Sequence, residues 1–278
     1  MRRWVFGLAA AGAFALGASA ALAALAGDRQ DRSACAAAAA APAAAIDGCT
    51  RLIGAGRLAP DDLADAYARR GMAYGLTRQF GAAVADLGEA IRLKPTSAGW
   101  FYNRATAYYA EGDYDHAIAD FGEAIRLRPN FSDALNSRGA ALRRMGRTEL
   151  ALQDFDLAIQ LRPGFPEALS NRCYALAAGS APGAGLADCN AALRLRPGFG
   201  HALAHRGLIE LRMGDTAKAR ADYDAALVST AADPEALYGR GVARLRSGDA
   251  QGGQADLAAA TAIDAGIAGV FAGYGLTP

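Results

Sequence analysis

Neither sign of charge is in excess: 29 basic residues stand against 28 acidic among 278, and 27 against 28 once Arg2 and Arg3 are set aside. Such a surface has no basic field to concentrate phosphates, so nucleic-acid binding driven by charge is excluded. Histidine is scarce, with three residues, and there is no G-x-S-x-G, no phosphate-cradling glycine loop and no C-x-x-C. The usual starting points for hydrolase, nucleotide, redox and zinc chemistry are therefore missing. Strand formers are few beside alanine, and the 33 glycines follow no G-X-Y period, which argues against sheet and collagen. At 53% hydrophobic and 21% charged the chain is too apolar for a disordered protein. What remains is an alanine-rich helical protein whose glycines need positional reasons.

The start, Met1-Arg2-Arg3, leads into an apolar stretch from Trp4 to Gly27 with small residues at Ala18-Ser19-Ala20 and Ala24-Leu25-Ala26. Residues 1–26 read as a secretory signal peptide, and the same stretch is long enough to serve as an uncleaved membrane anchor. Either reading places the mature chain in the periplasm or cell envelope. Arg32-Ser33-Ala34 ahead of Cys35 does not suit lipidation. Ala36 to Ala45 is low-complexity and reads as a tether or as the first turns of a capping helix. Four cysteines, an even number in an exported chain, point to disulfides, with free buried thiols as the alternative if export is wrong. They fall into two local pairs, Cys35 with Cys49 and Cys173 with Cys189.

Self-similarity carries the fold. Pro95, Pro129, Pro163 and Pro197 recur every 34 residues after AIRLKP-like segments, and this register gives units starting at 64, 98, 132, 166, 200 and 234. Position 8 is small (Gly71, Ala105, Gly139, Cys173, Gly207, Gly241), position 20 is alanine or glycine and position 27 is always alanine, while position 4 is Tyr67, Phe101 or leucine. Large residues set against small ones define close helix-on-helix packing. Position 15 is glycine in four units (Gly112, Gly146, Gly214, Gly248), where a helix stop needs the left-handed conformation. Each unit thus reads as helix, turn, helix. Arg70, Arg104, Arg138, Arg172, Arg206 and Arg240 fill position 7, and Asp86, Asp120, Asp154, Asp188, Asp222 and Asp256 fill position 23. The two columns make either an arginine ladder for an anionic ligand or a charge pair joining the two helices.

These columns resemble the tetratricopeptide repeat family from Ala64 to about Ile267, most closely in the second unit with Phe101, Tyr108, Gly112-Asp113-Tyr114, Ala117, Phe121, Ala124 and Pro129. The resemblance implies an all-α, right-handed solenoid of stacked antiparallel helix pairs. Residues 27–63 would form a linker and a degenerate capping half-repeat, 64–267 six units, and 268–278 a C-terminal cap. Positions 8 and 24 face each other across a pair, so a Cys173–Cys189 bridge is expected, with Cys35–Cys49 as the same staple in the N-terminal cap.

The resembled family is a binding architecture whose first helices line a concave groove. Positions 2, 5 and 6 nominate Arg69, Tyr102, Asn103, Asn136, Ser137, Asn171, His201, His205 and Tyr238 as the peptide-binding groove, flanked by Asp65, Asp133, Glu167 and Glu235. Donors, acceptors and aromatic faces suit an extended peptide or protein partner. Lysine is absent from the first helices, so the family's carboxylate clamp is not expected. No catalytic residue, cofactor or metal is expected, and the remaining alternative is a metal-binding protein or an enzyme using His201 and His205, four apart on one helix face. The reading is a non-catalytic scaffold of the periplasm or envelope, with a membrane-anchored assembly factor as the other form of the same idea.

Overall fold

The computed structural model describes residues 27–179 and 181–278; the leader read over residues 1–26 lies outside the described residues. Among the described residues regular structure is helical throughout: α1 (27–36), α2 (Pro42–Gly54), α3 (Pro60–Leu76), α4 (Phe80–Leu93), α5 (Ala98–Glu111), α6 (Tyr114–Leu127), α7 (Ser132–Arg144), α8 (Thr148–Leu161), α9 (Pro166–Ala177), a 3-10 turn at Pro182–Gly185, α10 (Leu186–Leu195), α11 (Gly200–Arg212), α12 (Thr216–Ser229), α13 (Pro234–Arg246), α14 (Ala250–Ile263) and α15 (Ile267–Gly273). They gather into two compact units, one ending at Pro129 and one beginning at Asn130. In each, a first helix packs on its own second helix, which packs on the first helix of the next pair.

The turns follow from local chemistry. Gly112, Gly146, Gly214 and Gly248 adopt φ between +73° and +87°, and Arg78 holds the same place in the first pair at φ +61°, a conformation that disfavours a residue with a β-carbon. After three of the glycines an aspartate caps the second helix: Asp113, Asp215 and Asp249 accept from the amides of His116, Lys218 and Gly252. The fourth pair departs from this plan. Its second helix begins with the 3-10 turn and is only ten residues long. Gly185 lies so close to Cys173 that a β-carbon there would stand 2.5 Å from the Cys173 carbonyl oxygen, and the Cys173–Cys189 disulfide joins the same two segments across 5.5 Å between Cα atoms.

In the N-terminal cap a first helix, α1, precedes α2, which begins on Pro42 at its first helical position, where the missing N–H costs nothing. The Cys35–Cys49 disulfide ties α1 to α2. Proline plays the same part at Pro60, so α3 starts before position 1 of the first unit.

The arginine and aspartate columns form the structural pair. In all six units Nε and Nη2 of the arginine donate to the two carboxylate oxygens at 2.6–2.9 Å, and the six aspartates are buried. This bidentate geometry is the strong form of the interaction. The remaining nitrogen, Nη1, reaches the preceding pair in several units: Arg70 to Thr50, Arg172 to Asp156, Arg206 to Asn190 and Arg240 to Asp224, at 2.7–3.0 Å. One guanidinium therefore fastens two helices of its own pair and the pair before it.

Candidate functional site

Because first helices neighbour one another, α3 against α5 in the first unit and α9 against α11 against α13 in the second, their uncovered sides form one continuous face per unit. The two faces have different fates.

In the first unit the face is open and cratered. A hollow of about 210 Å³ is lined by Asp65, Ala68, Arg69, Met72, Trp100 and Asn103. A second, of about 180 Å³, lies toward the cap and shares Asp65 and Arg69 with it, adding Arg32, Leu52 and Leu58. A third, of about 500 Å³, lies on the other side of Trp100 with Lys94, Ser97 and Arg128 on its wall. Asp65 borders all three. Arg69 is exposed and donates one long bond of 3.4 Å to the Ala36 carbonyl. Tyr102 is half-buried, its ring 5.7 Å from that of Phe121. Of the nominated residues, then, Arg69 and Asn103 meet in one hollow. Trp100 joins them from position 3, outside the columns at positions 2, 5 and 6; its signal in the sequence is a lone indole among the first helices.

In the second unit the face is closed over part of α9, α11 and α13. Asn171 donates to Asn136 at 2.9 Å, tying α9 to α7, and Asn136, Ser137 and Asn171 are half-buried. The position-2 acids are tied down as well. Asp133 accepts from Arg162 at 2.7 Å and Glu167 pairs with Arg196, each guanidinium lying over a phenylalanine ring, Phe165 and Phe199. His201 is exposed, while His205 is buried with Nδ1 against the Ser170 hydroxyl (2.9 Å) and carbonyl (3.0 Å) and its ring stacked on Tyr174 at 4.4 Å. Burial pushes its pKa down to about 3, with Arg143 and His201 adding to the effect. The two imidazoles stack 6.3 Å apart, and among the described residues no three His, Cys, Asp or Glu side chains converge as a metal-binding set.

What closes this face is the end of the chain. Ile267, Phe271 and Leu276 are 1%, 2% and 3% exposed, and the Phe271 ring lies 4.7 Å from that of Tyr238, which is buried beneath it. The Tyr274 hydroxyl donates to the Tyr174 hydroxyl at 2.8 Å, and Tyr174 donates to Glu235 at 3.1 Å. Burial raises the pKa of both Glu235 and Tyr174. Arg143 stacks over Tyr174 at 4.5 Å, and Arg212 Nε donates to the Tyr274 carbonyl at 3.1 Å. His205 and Tyr238 therefore do not line an open groove. The sequence placed α15 as a terminal cap but gave no sign that it would cover the first-helix face.

Among the described residues no single helix is long and apolar enough to cross a membrane.

Family models for the tetratricopeptide repeat match residues 64–97 and 132–165, residues 98–131, and residues 205–266, together more than half of the chain. No curated protein matches by sequence. Similar solved structures include PilF of Pseudomonas aeruginosa (19% identity, 74% of this chain and 94% of that one, TM-score 0.61) and MamA (20%, 62% and 94%, 0.53). A third is YrrB, described as a TPR protein with an unusual peptide-binding site (22%, 68% and 95%, 0.51). At these identities they speak for architecture alone. Repeat models over most of the helical region and neighbours of a single architecture agree on one assignment: the chain belongs to the tetratricopeptide repeat family and is an all-α solenoid of that type.

Proposed function

We propose that the protein is a non-catalytic scaffold that holds an extended segment of a partner protein on the open first-helix face of its N-terminal unit. The observation that carries this reading is the row of three adjoining hollows around Asp65, with Arg69, Trp100 and Asn103 on their walls. An extended peptide presents unpaired backbone amides and carbonyls. Arg69 and Asn103 supply donors, Asn103 and Asp65 supply acceptors, and the indole of Trp100 offers an apolar face to a side chain. That YrrB, similar in fold, is described by a peptide-binding site is in keeping with this use. The working compartment in this reading is the periplasm or cell envelope. The two disulfides support it, since such bridges persist where the medium is oxidising.

The test is selection of a random-peptide library on the immobilised mature protein, repeated with Arg69→Ala, Trp100→Ala and Asn103→Ala combined. Peptides retained by the wild type and lost from the triple variant are the expected result; equal retention by both would remove the first-unit face as the site. For the compartment, protein isolated without reductant and then unfolded should show no free thiol, whereas four free thiols would contradict export.

A further inference from the structure

We propose that the first-helix face of the second unit is a second peptide site, and that the chain's own C-terminal segment, Ile267 to Leu276, fills it in cis as a displaceable plug. The idea is independent of the first-unit reading, since it concerns different residues.

The segment is held the way a bound peptide is held. Phe271 lies against Tyr238 of the first helix α13, and Ile267 is buried in the same apolar cluster. Tyr274 docks edge-on to Tyr174, 6.2 Å between centroids, and its hydroxyl enters a relay that ends on the Glu235 carboxylate. Arg212 grips the backbone carbonyl of Tyr274, a contact indifferent to the side chain it accompanies. Gly275, at φ +74°, turns the chain so that Leu276 is buried as well. Anchors at 271, 274 and 276 and a clasped main chain together form a recognition pattern, aromatic-x-x-Tyr-x-Leu.

The segment is also poorly suited to being a permanent part of the core. α15 has seven residues, two of them glycine, well below the length at which a helix holds itself together. It leaves α14 at a bend of 113° through Asp264, Ala265 and Gly266. Its departure would strip Tyr238 of the Phe271 ring and Tyr174 of the Tyr274 ring, baring two buried tyrosines. Such a patch seeks a replacement cover of the same pattern. A competing segment carrying aromatic-x-x-Tyr-x-Leu would therefore have to displace the chain's own copy, which makes occupancy in cis a threshold for binding in trans.

The decisive experiment uses the full-length chain with Phe271→Ala and Tyr274→Ala together, probed with a labelled peptide of the wild-type sequence Gly266 to Pro278. The double variant is expected to bind the peptide, and the wild type to bind it ~30-fold or more weakly because its site is filled. Adding the Arg69, Trp100 and Asn103 substitutions should change nothing, which separates this site from the first-unit face. A folded double variant with no affinity for the peptide, or a wild type that binds it equally well, would overturn the proposal. Should the double variant not fold, amide exchange of the unmodified chain decides. Exchange at 267–274 at least ~10-fold faster than in α13 marks a plug that opens on its own. Exchange in step with α13 marks an integral piece of the core and ends the idea.

Discussion

The two compact units are built from the same columns and yet present opposite faces. Both close their helix pairs with a bidentate arginine–aspartate clasp. The difference lies at positions 5, 6 and 9 of the first helices, which side-chain spacing places on the exposed side. In the first unit these are Ala68, Arg69 and Met72, then Tyr102, Asn103 and Thr106; farther on they become Ser170, Asn171 and Tyr174, then Ala204, His205 and Leu208, then Tyr238, Gly239 and Val242. The first set leaves hollows with charged and amide walls; the second sets Tyr174 and Tyr238 against Tyr274 and Phe271 of the terminal segment. A repeat backbone thus fixes where a face lies, and a few residues per unit decide whether solvent or the chain itself covers it. The disulfides mark a second contrast. One pins the end of the first unit, where an array frays, and the other pins the pair whose second helix is interrupted at Pro182–Gly185.

The largest expected effect tests what the units share. Asp86→Ala in the first and Asp222→Ala in the second each strand a partly buried guanidinium and should cost ~3–5 kcal/mol, read by chemical unfolding; a loss in one unit alone would mean that the clasp is not a common frame. The next separates the faces. Phe271→Ala should remove ~3 kcal/mol from the docking of α15, seen as lost amide protection at 267–274. Trp100→Ala on the open face, where the indole is only half-buried against the first cluster, should change local protection by less, ~1–2 kcal/mol. Similar losses at both sites would erase the distinction.

Acid should find the closed face first. The folded-state pKa of His205 lies near 3, below the ordinary value near 6.5, so the unfolded chain takes up a proton that the folded one refuses. The His205 contribution is therefore complete above about pH 6.5 and is lost as pH falls toward 3, ~2 kcal/mol by pH 5. Glu210, raised to about 7 by burial, and Glu235, also raised, act in the opposite sense. Comparison of the wild type with His205→Gln cancels both carboxyls, and the stability gap between the two proteins should narrow on acidification. A gap independent of pH would mean that His205 is reached by solvent. The smallest effect is a gain: Arg78→Gly relieves the φ of +61° and should stabilise the first pair by ~1 kcal/mol in thermal unfolding.

Much of the architecture was legible because the repeat makes it redundant. The 34-residue prolines, the small columns at positions 8, 20 and 27 and the glycines at position 15 each report the same helix pairs, and the Cys173–Cys189 disulfide follows from that register, whereas Cys35, 14 rather than 16 residues before its partner, is reached only by analogy with it. The arginine–aspartate clasp could be read as far as the pair; its third bond, to the preceding pair, could not, because its acceptor column varies from Thr50 through Asp156 and Asn190 to Asp224 and is glycine at Gly88 and Gly122. The candidate site was less legible for a physical reason. Column arithmetic says which side chains emerge on the first-helix face, but the cover over that face comes from a segment outside the period. Nothing in Asn136 or Asn171 foretells that they bond to each other, nor in Tyr238 that Phe271 lies on top of it.

The central claim is that the first unit's face is open to a partner as it stands, while the second unit's is already filled by the chain's own segment. A photo-crosslinking residue placed at position 103 and, in a separate protein, at position 238 tests it against a random-peptide pool under native conditions. Adducts at 103 with none at 238 are the predicted result. Adducts at 238 with none at 103 would contradict the account, because the buried face would then be the one that binds.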